Sequence, residues 1–296
     1  MTSYLITGGS GALGTALAKQ LLETTRFASL ALYENISKIV IFSRNEFRQH
    51  QMSQELAGLD PHKRLRFFIG DVRDRDRLVR AMRGIDVVIH AAALKRIEVG
   101  HYNPIEMVKT NVFGAMNVVE AAQDAGVRKV VGVSSDKAFQ PISPYGCSKA
   151  MMESLFLAAN NTTGAEGPRF AVCRYGNVWG STGSVVPLWK AECEKYYPNP
   201  AWLNVTDPNC TRFFMRMEQA VDLVLNTAKD MRGGELAIPR LPAYRLGDLV
   251  EAFQAQMRVI GLPRWEKLHE SMDETNCSKD ARRMSVEELR EELCRK

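Results

Sequence analysis

The 296 residues are 45% hydrophobic and 25% charged, with 39 basic side chains against 34 acidic ones and a net charge of +5. This is the make-up of a globular chain long enough for one large core or a core plus a smaller lobe, and its scattered basic residues form no stripe for nucleic acid. The six cysteines, at 147, 173, 193, 210, 277 and 294, have no CxxC spacing and no accompanying histidine cluster, so no zinc or other metal site and no disulfide framework is expected. No apolar run approaches the ~18–20 residues of a membrane span; with free thiols, this points to a cytoplasmic chain that does not engage a membrane.

The chain enters a strand-like run at Tyr4–Thr7 almost at once, which leaves no room for a signal peptide. A helical pattern over Leu13–Glu23 follows, then strand Lys38–Ser43, helix Asn45–Leu56, strand Leu65–Gly70, helix Arg75–Met82 and strand Val87–Ala91. The alternation continues with helix Pro104–Ala125, strand Lys129–Ser134, helix Pro144–Ala159 and strand Phe170–Arg174. The strands are almost unbroken Val, Ile, Leu and Phe, the mark of strands buried on both faces. Alternation of this kind implies right-handed βαβ units and an α/β fold with a doubly wound parallel sheet of the Rossmann type. After Gly176 the pattern loosens through the Pro-, Asn- and Trp-containing stretch Tyr197–Asn209 and a strand at Glu235–Pro239. The division expected is a sheet domain over 1–175 and a smaller mixed α/β lobe over 176–296, interleaved with it. Ser285, with Glu288 three residues on, opens a capped helix to Cys294.

Thr7-Gly8-Gly9-Ser10-Gly11-Ala12-Leu13-Gly14 lies between the first strand and the first helix. Gly8, Gly11 and Gly14 permit a tight turn, and the backbone of the loop, Ser10, Ala12 and Leu13 included, can approach a pyrophosphate at the helix N-terminus. The second strand ends Ser43-Arg44 with no acid at its tip. A hydroxyl and a guanidinium there suit a 2′-phosphate, so NADP is expected over NAD; otherwise Arg44 is a solvated loop residue. Asp71, followed by Val72, falls near the adenine amino group, and Ala91, Ala92 and Ala93 leave room for the cofactor to pass.

Tyr145 and Lys149 are four residues apart on a helix opened by Ser143 and Pro144, hence on one face. A lysine ammonium and the oxidised nicotinamide ring would favour the phenolate, which could take a proton from a sugar hydroxyl. Ser135 is placed to orient that hydroxyl. Asp136 and Lys137 follow it at the C-terminal end of a strand, where open α/β sheets bind ligands. They read either as a surface ion pair or as an acid/base pair, and the second exceeds what a simple dehydrogenase needs and suggests elimination. His90 reads as packed and hydrogen-bonded, and Met151 and Met152 as core.

The segments TGGSGALG (7–14), FSRNE (42–46), FFIGDVRD (67–74), HAAALK (90–95), SSDKAFQPISPYGCSK (134–149), RYGNVWGSTGSVVP (174–187), TRFFM (211–215) and WEKLHE (265–270) occur in the order of a known family. The chain resembles the inverting UDP-N-acetylglucosamine 4,6-dehydratases, extended short-chain dehydrogenases/reductases of the polysaccharide biosynthesis family, from Tyr4 to about Glu270. The resemblance implies that Tyr145 deprotonates the C4 hydroxyl while hydride passes to NADP, that Lys137 removes the C5 proton, and that Asp136 protonates the departing C6 hydroxyl. Retaining relatives carry Asp-Glu where this chain has Asp136-Lys137, which points to C5 inversion. It further implies substrate contacts from Lys95, Asn177, Ser184, Val185, Thr211, Arg212, Arg264 and Glu266, a UDP-sugar substrate, and a homo-oligomer, dimer or hexamer. Two departures bear on the sugar: Thr182 replaces an arginine, and Pro263-Arg264-Trp265 replaces Arg-Pro-Gly. A nucleotide-sugar 4-epimerase would use Tyr145 and Lys149 without needing Asp136 and Lys137, whereas a non-catalytic NADP-binding regulator would tend to lose the tyrosine.

Overall fold

Five apolar strands alternate their side chains between two helical layers, and this alternation sets the architecture. A computed structural model describes residues 1–26, 36–181 and 183–295. Its first half runs β1 (Thr2–Thr7), α1 (Ala12–Arg26), β2 (Ile36–Ser43), α2 (Glu46–Leu56), β3 (Leu65–Ile69), α3 (Arg75–Met82) and β4 (Val87–His90). It continues with α4 (Ile97–Tyr102), α5 (Pro104–Met107), α6 (Gly114–Ala125), β5 (Lys129–Val133), α7 (Pro144–Ala159) and β6 (Arg169–Cys173). The second half holds α8 (Val185–Tyr196), β7 (Trp202–Val205), β8 (Thr211–Phe213), α9 (Met217–Asp230), β9 (Leu236–Ala237), β10 (Ala243–Arg245) and α10 (Leu246–Ala252). It closes with β11 (Gln256–Val259), β12 (Ser271–Asp273), β13 (Asn276–Cys277) and α11 (Val286–Cys294).

The principal sheet has seven strands in the order β3-β2-β1-β4-β5-β6-β9, all pairs parallel. Ile6, Ile39, Ile41, Ile89, Val131 and Ala171 face one layer with Leu17, Leu21, Val221 and Val224 of α1 and α9. Their neighbours Leu5, Val40, Phe42, Val88, Val130 and Phe170 face the other, against Leu78, Val118 and Phe156. The strand order reverses between β1 and β4, and such a switch point is where open α/β sheets carry their ligands.

The second half is not a separate body. Helix α9 packs on the sheet, and β9 adds the seventh strand by pairing Val172 with Leu236 and Cys173 with Ala237. The rest of this half builds its own core from Trp189, Leu203, Phe214, Tyr244, Leu249 and Leu289.

Local differences from the sequence reading have physical causes. The helix expected over Pro104–Ala125 is interrupted by a π-turn at Val108–Phe113. The extra residue there buries Asn111, which accepts from the Leu94 backbone N–H at 2.8 Å and donates to the Leu94 carbonyl at 2.9 Å and to Ser148 Oγ at 2.9 Å. A π-turn of this sort often marks a functional segment, and this one fixes the loop after β4. Met152 is buried as expected, but Met151 is 51% exposed because the next residue of a helix points about 100° away. Ser285 caps α11 reciprocally with Glu288, as its spacing predicts.

Phe156 lies fully buried between His90, stacked with ring centroids 5.7 Å apart, and Phe170, met edge-on at 5.8 Å. Replacing Phe170 by Ala would leave a cavity in this layer. The expected cost is ~3–5 kcal/mol of unfolding free energy, read as a fall in the urea midpoint at unchanged slope.

Candidate active site

The Gly8 turn and the end of β4 meet at the switch point. Gly8 has φ +66°, and a Cβ there would stand 2.8 Å from both Cα and N of Ala92. Backbone therefore packs on backbone between the Gly-rich turn and Ala91–Ala92. A dinucleotide fits this cradle, since it needs close backbone approach at the N-terminus of α1. Ser10 and Gly11 belong to the same turn and Ala12 and Gly14 to the first turn of α1, while the Leu13 side chain packs against the core. Ser43 Oγ accepts from Ser10 Oγ at 2.9 Å and from Gln49 Nε2 at 3.0 Å, which leaves its own proton for an outside acceptor. Arg44 is exposed, 3.9 Å from Asp71. Asp71 is bound by Arg73 at 2.6 Å; burial pushes its carboxyl up, but Arg73 outweighs that and holds it below the ordinary value. Val72 is buried under α6 against Gly114.

Helix α7 begins where Ser143 accepts a hydrogen bond from the Gly146 N–H at 3.1 Å, with Pro144 in the first turn. Gly146 has to be small: a Cβ would fall 2.3 Å from the Lys137 carbonyl oxygen. The helix start can thus lie directly on the 3₁₀ turn Asp136–Ala138, which brings Tyr145 to Ser135, Asp136 and Lys137. One turn on, Lys149 donates to the Val133 carbonyl at 2.7 Å, and burial pulls its pKa down to about 8 against the opposing pull of Glu153. Glu153 is itself neutralised by a buried ion pair with Arg174.

Burial pushes the Tyr145 phenol above its ordinary value, and the groups that oppose this are Lys137 and the Ser135 hydrogen bond rather than Lys149. His90, pulled down to about 3 by burial and then by Lys149, is neutral and bonded through Nδ1 to Thr7 Oγ1 at 2.8 Å.

Asp136 is fully buried. Its Oδ1 accepts from Ser135 Oγ at 2.8 Å and from Lys137 Nζ at 3.1 Å, while Oδ2 has no hydrogen-bond partner. A buried carboxylate oxygen left unpaired is costly, and at a ligand site it suits a group brought by the substrate. Lys137 also donates to Asn177 Oδ1 at 3.4 Å and lies 3.5 Å from Glu270 Oε1. Burial alone would lower the Lys137 pKa, but Asp136 and Glu270 outweigh it, and Arg212, and hold the amine well above its usual value. The surface ion-pair reading of Asp136 and Lys137 therefore fails on burial.

Beside this cluster is a cleft of about 180 Å³ lined by Asn177, Val185, Arg212 and Glu266 together with Trp189, Asn204, Thr206 and Tyr244. Arg212 is buried and paired with Glu266. Ser184 begins α8, and its buried hydroxyl has no partner. Thr211 does not line the cleft; its hydroxyl is spent on His269 Nδ1 at 2.8 Å and Ser278 Oγ at 2.6 Å. Lys95 and Arg264 are exposed, Trp265 lies tilted against His101 with centroids 4.6 Å apart, and Thr182 lies outside the described residues. A larger cleft of about 430 Å³ between 240–242 and 275–282 holds none of the motif residues. Sequence reasoning missed Trp189, Asn204, Tyr244, Lys267 and Glu270; Lys267 and Glu270 fall in the run WEKLHE, and the other three in none of the matching segments. Among the described residues no His, Cys, Asp and Glu cluster could hold a metal, and no helix is long and apolar enough to cross a membrane.

A family model described as polysaccharide biosynthesis protein matches residues 4–288. The chain belongs to that family. It is 43% identical over 275 residues to the UDP-N-acetylglucosamine 4,6-dehydratase (inverting) of Campylobacter jejuni, covering 91% of this chain and 77% of that one. It is 38% identical over 276 residues to the UDP-glucose 4-epimerase of Rickettsia akari, again 91% and 77% of the two chains. Among solved structures, Pen from Bacillus thuringiensis superposes with a TM-score of 0.88 at 32% identity, over 99% of this chain and 98% of that one. The seven-stranded sheet and its flanking helices are thus a fold that this family member shares with that structure.

Gly8→Ala would force a Cβ into the Ala92 backbone at a positive φ. Calorimetric titration with NADP and with NAD should show affinity at least ~10-fold weaker, or ~1.4 kcal/mol.

Proposed function

We propose that the chain is an NADP-dependent dehydratase of UDP-N-acetylglucosamine that yields a UDP-4-keto-6-deoxy-L-sugar with C5 inverted. The observation that carries this reading is the pair of buried Asp136 and partly buried Lys137, with the unpaired Asp136 Oδ2, joined to the similarity to an inverting dehydratase. When bound, the cofactor accepts hydride from C4 and returns it to C6.

Tyr145, activated by Lys137 and Ser135, takes the C4 hydroxyl proton. The resulting ketone acidifies C5–H, and Lys137 as the free amine removes that proton. Asp136, carrying the proton that Lys137 gave up, protonates the C6 oxygen as it leaves as water. Solvent then reprotonates C5 from the opposite face, and Tyr145 releases to solvent the proton it took from the C4 hydroxyl. Ser184 at the start of α8, Arg212, Asn177 and Glu266 hold the UDP portion. Ser43 and Arg44 take the 2′-phosphate, and this favours NADP over NAD. A homo-oligomer, dimer or hexamer, is supported by exposed Tyr102, Ile105, Phe113 and Met151 on α4 to α7. Six unpaired cysteines suit the cytoplasm.

The similarity to UDP-glucose 4-epimerases favours a second reading, epimerisation at C4, which would leave C6 untouched. Proton NMR in deuterated water with UDP-N-acetylglucosamine separates the two. The dehydratase gives a new C6 methyl signal, deuterium at C5 and an L-arabino coupling pattern; an epimerase gives a C4 epimer with no methyl. Lys137→Ala should lower the dehydration rate by ~10²–10⁴-fold with the cofactor still bound. Arg44→Ala should weaken NADP by roughly tenfold and leave NAD within about twofold, measured by fluorescence titration; equal losses for both would remove Arg44 from the 2′-phosphate site.

A further inference from the structure

Glu270 has no part in the chemistry so far assigned, yet its carboxylate is among the most enclosed charged groups of the molecule. It is 2% exposed, at the end of the segment that follows the β11 strand. Its backbone is pinned by Ser278: Ser278 Oγ accepts from the Glu270 N–H at 2.9 Å, and the Ser278 N–H donates to the Glu270 carbonyl at 2.8 Å. One carboxylate oxygen is 3.5 Å from Lys137 Nζ; the other is 3.7 Å from Lys267 Nζ and makes no hydrogen bond. Lys267 is in turn anchored by donating to the Phe139 carbonyl at 2.7 Å. A carboxylate with so little solvent costs several kcal/mol unless charge compensates it, and the compensating charges are the ammonium groups of Lys137 and Lys267 and the buried Arg212 guanidinium, with Lys137 the nearest ammonium.

We propose that Glu270 is a positioning residue for Lys137, which aims its amine and stabilises the ammonium formed when Lys137 takes the C5 proton. The inference rests on the dehydratase reading. A base that becomes cationic on accepting a proton gains from a fixed carboxylate behind it, as the imidazolium of a serine-protease histidine does from its aspartate.

The proton balance is as follows. Transfer across the 3.1 Å hydrogen bond turns Lys137 ammonium and Asp136 carboxylate into amine and carboxylic acid. In the elimination the C5–H bond breaks and an N–H bond forms at Lys137. The electron pair passes to the 4-keto group and then returns to form the C5–C6 double bond. The C6–O bond breaks as Asp136 supplies the proton that makes the leaving group water. Lys137 is again ammonium and Asp136 again carboxylate, the charge state that Glu270 favours.

The charged and titratable groups facing Lys137 are Asp136 on its own turn, Tyr145 on α7, Arg212 on β8, Tyr244 on β10 and Glu270, with Lys267 behind Glu270. Of these, Asp136 and Glu270 raise its pKa and Arg212 lowers it. Removing the Glu270 charge therefore lowers the pH at which the Asp136–Lys137 pair loses the proton it must give to the leaving oxygen.

The test compares wild type, Glu270→Gln and Glu270→Asp, each with cofactor bound and with its folding checked by thermal melt. Expected for Glu270→Gln is a kcat ~10–100-fold lower, a KM within about twofold of wild type, and an alkaline fall in kcat that begins about one pH unit earlier or more. Glu270→Asp should restore the limb towards wild type. A carbon-13 NMR titration of the Lys137 Cε, which needs no turnover, should move to lower pH in Glu270→Gln. A drop in kcat with both the limb and the Lys137 titration unmoved would reduce Glu270 to packing and overturn the proposal. A wild type that forms no C6 methyl product would overturn the dehydratase reading, and with it the role given to Glu270.

Discussion

A single ammonium, largely but not fully enclosed, joins the two halves of this molecule. Lys137 comes from the turn after β5, and the carboxylates on either side of it come from Asp136 beside it and from Glu270 far along the chain. Removing one partner of such a cluster leaves an uncompensated charge at a typical cost of ~3–5 kcal/mol. The geometry around it follows: Gly146 lets α7 close on the Lys137 turn, Asn177 and Tyr244 approach from the second half, and Lys267 ties the segment before Glu270 to the Phe139 carbonyl. The cleft lined by Asn177, Arg212, Tyr244 and Glu266 lies along this seam.

Behind the seam a second buried pair has a different effect. Glu153 is one helical turn beyond Lys149 and would hold that ammonium firmly if it stood alone. Arg174 takes up the Glu153 charge through both carboxylate oxygens. Burial nevertheless outweighs the pull of Glu153 and brings the Lys149 pKa down to about 8. The same burial keeps His90 neutral and confines it to packing.

Much of this was legible in the sequence, because the features concerned are local. Continuous apolar runs bounded by helical periods located the six first-half strands to within a residue or two, and the Gly8 turn, Ser143 and Ser285 announced helix starts by short-range rules. The π-turn at Val108–Phe113 was not legible, since it exists to seat Asn111 against a loop that precedes it by seventeen residues. Met151 was misjudged because two adjacent methionines on a helix cannot both face the core. Glu270 and Tyr244 escaped for the same reason as Asn111: their place depends on contacts across more than a hundred residues, and nothing in their immediate neighbours encodes it.

The seventh strand also has a consequence for how the chain comes to be folded. Strand β6 carries Phe170, Ala171, Val172 and Cys173, all fully buried, and its outer edge is closed by β9. In a chain growing from its N-terminus, that apolar edge stands open for some sixty residues of synthesis, until Leu236 and Ala237 arrive. Unpaired apolar edges are templates for pairing with other chains. The interval between β6 and β9 is therefore the stretch in which a nascent chain is most exposed to association with its neighbours, and any agent that shields strands has its longest opportunity there.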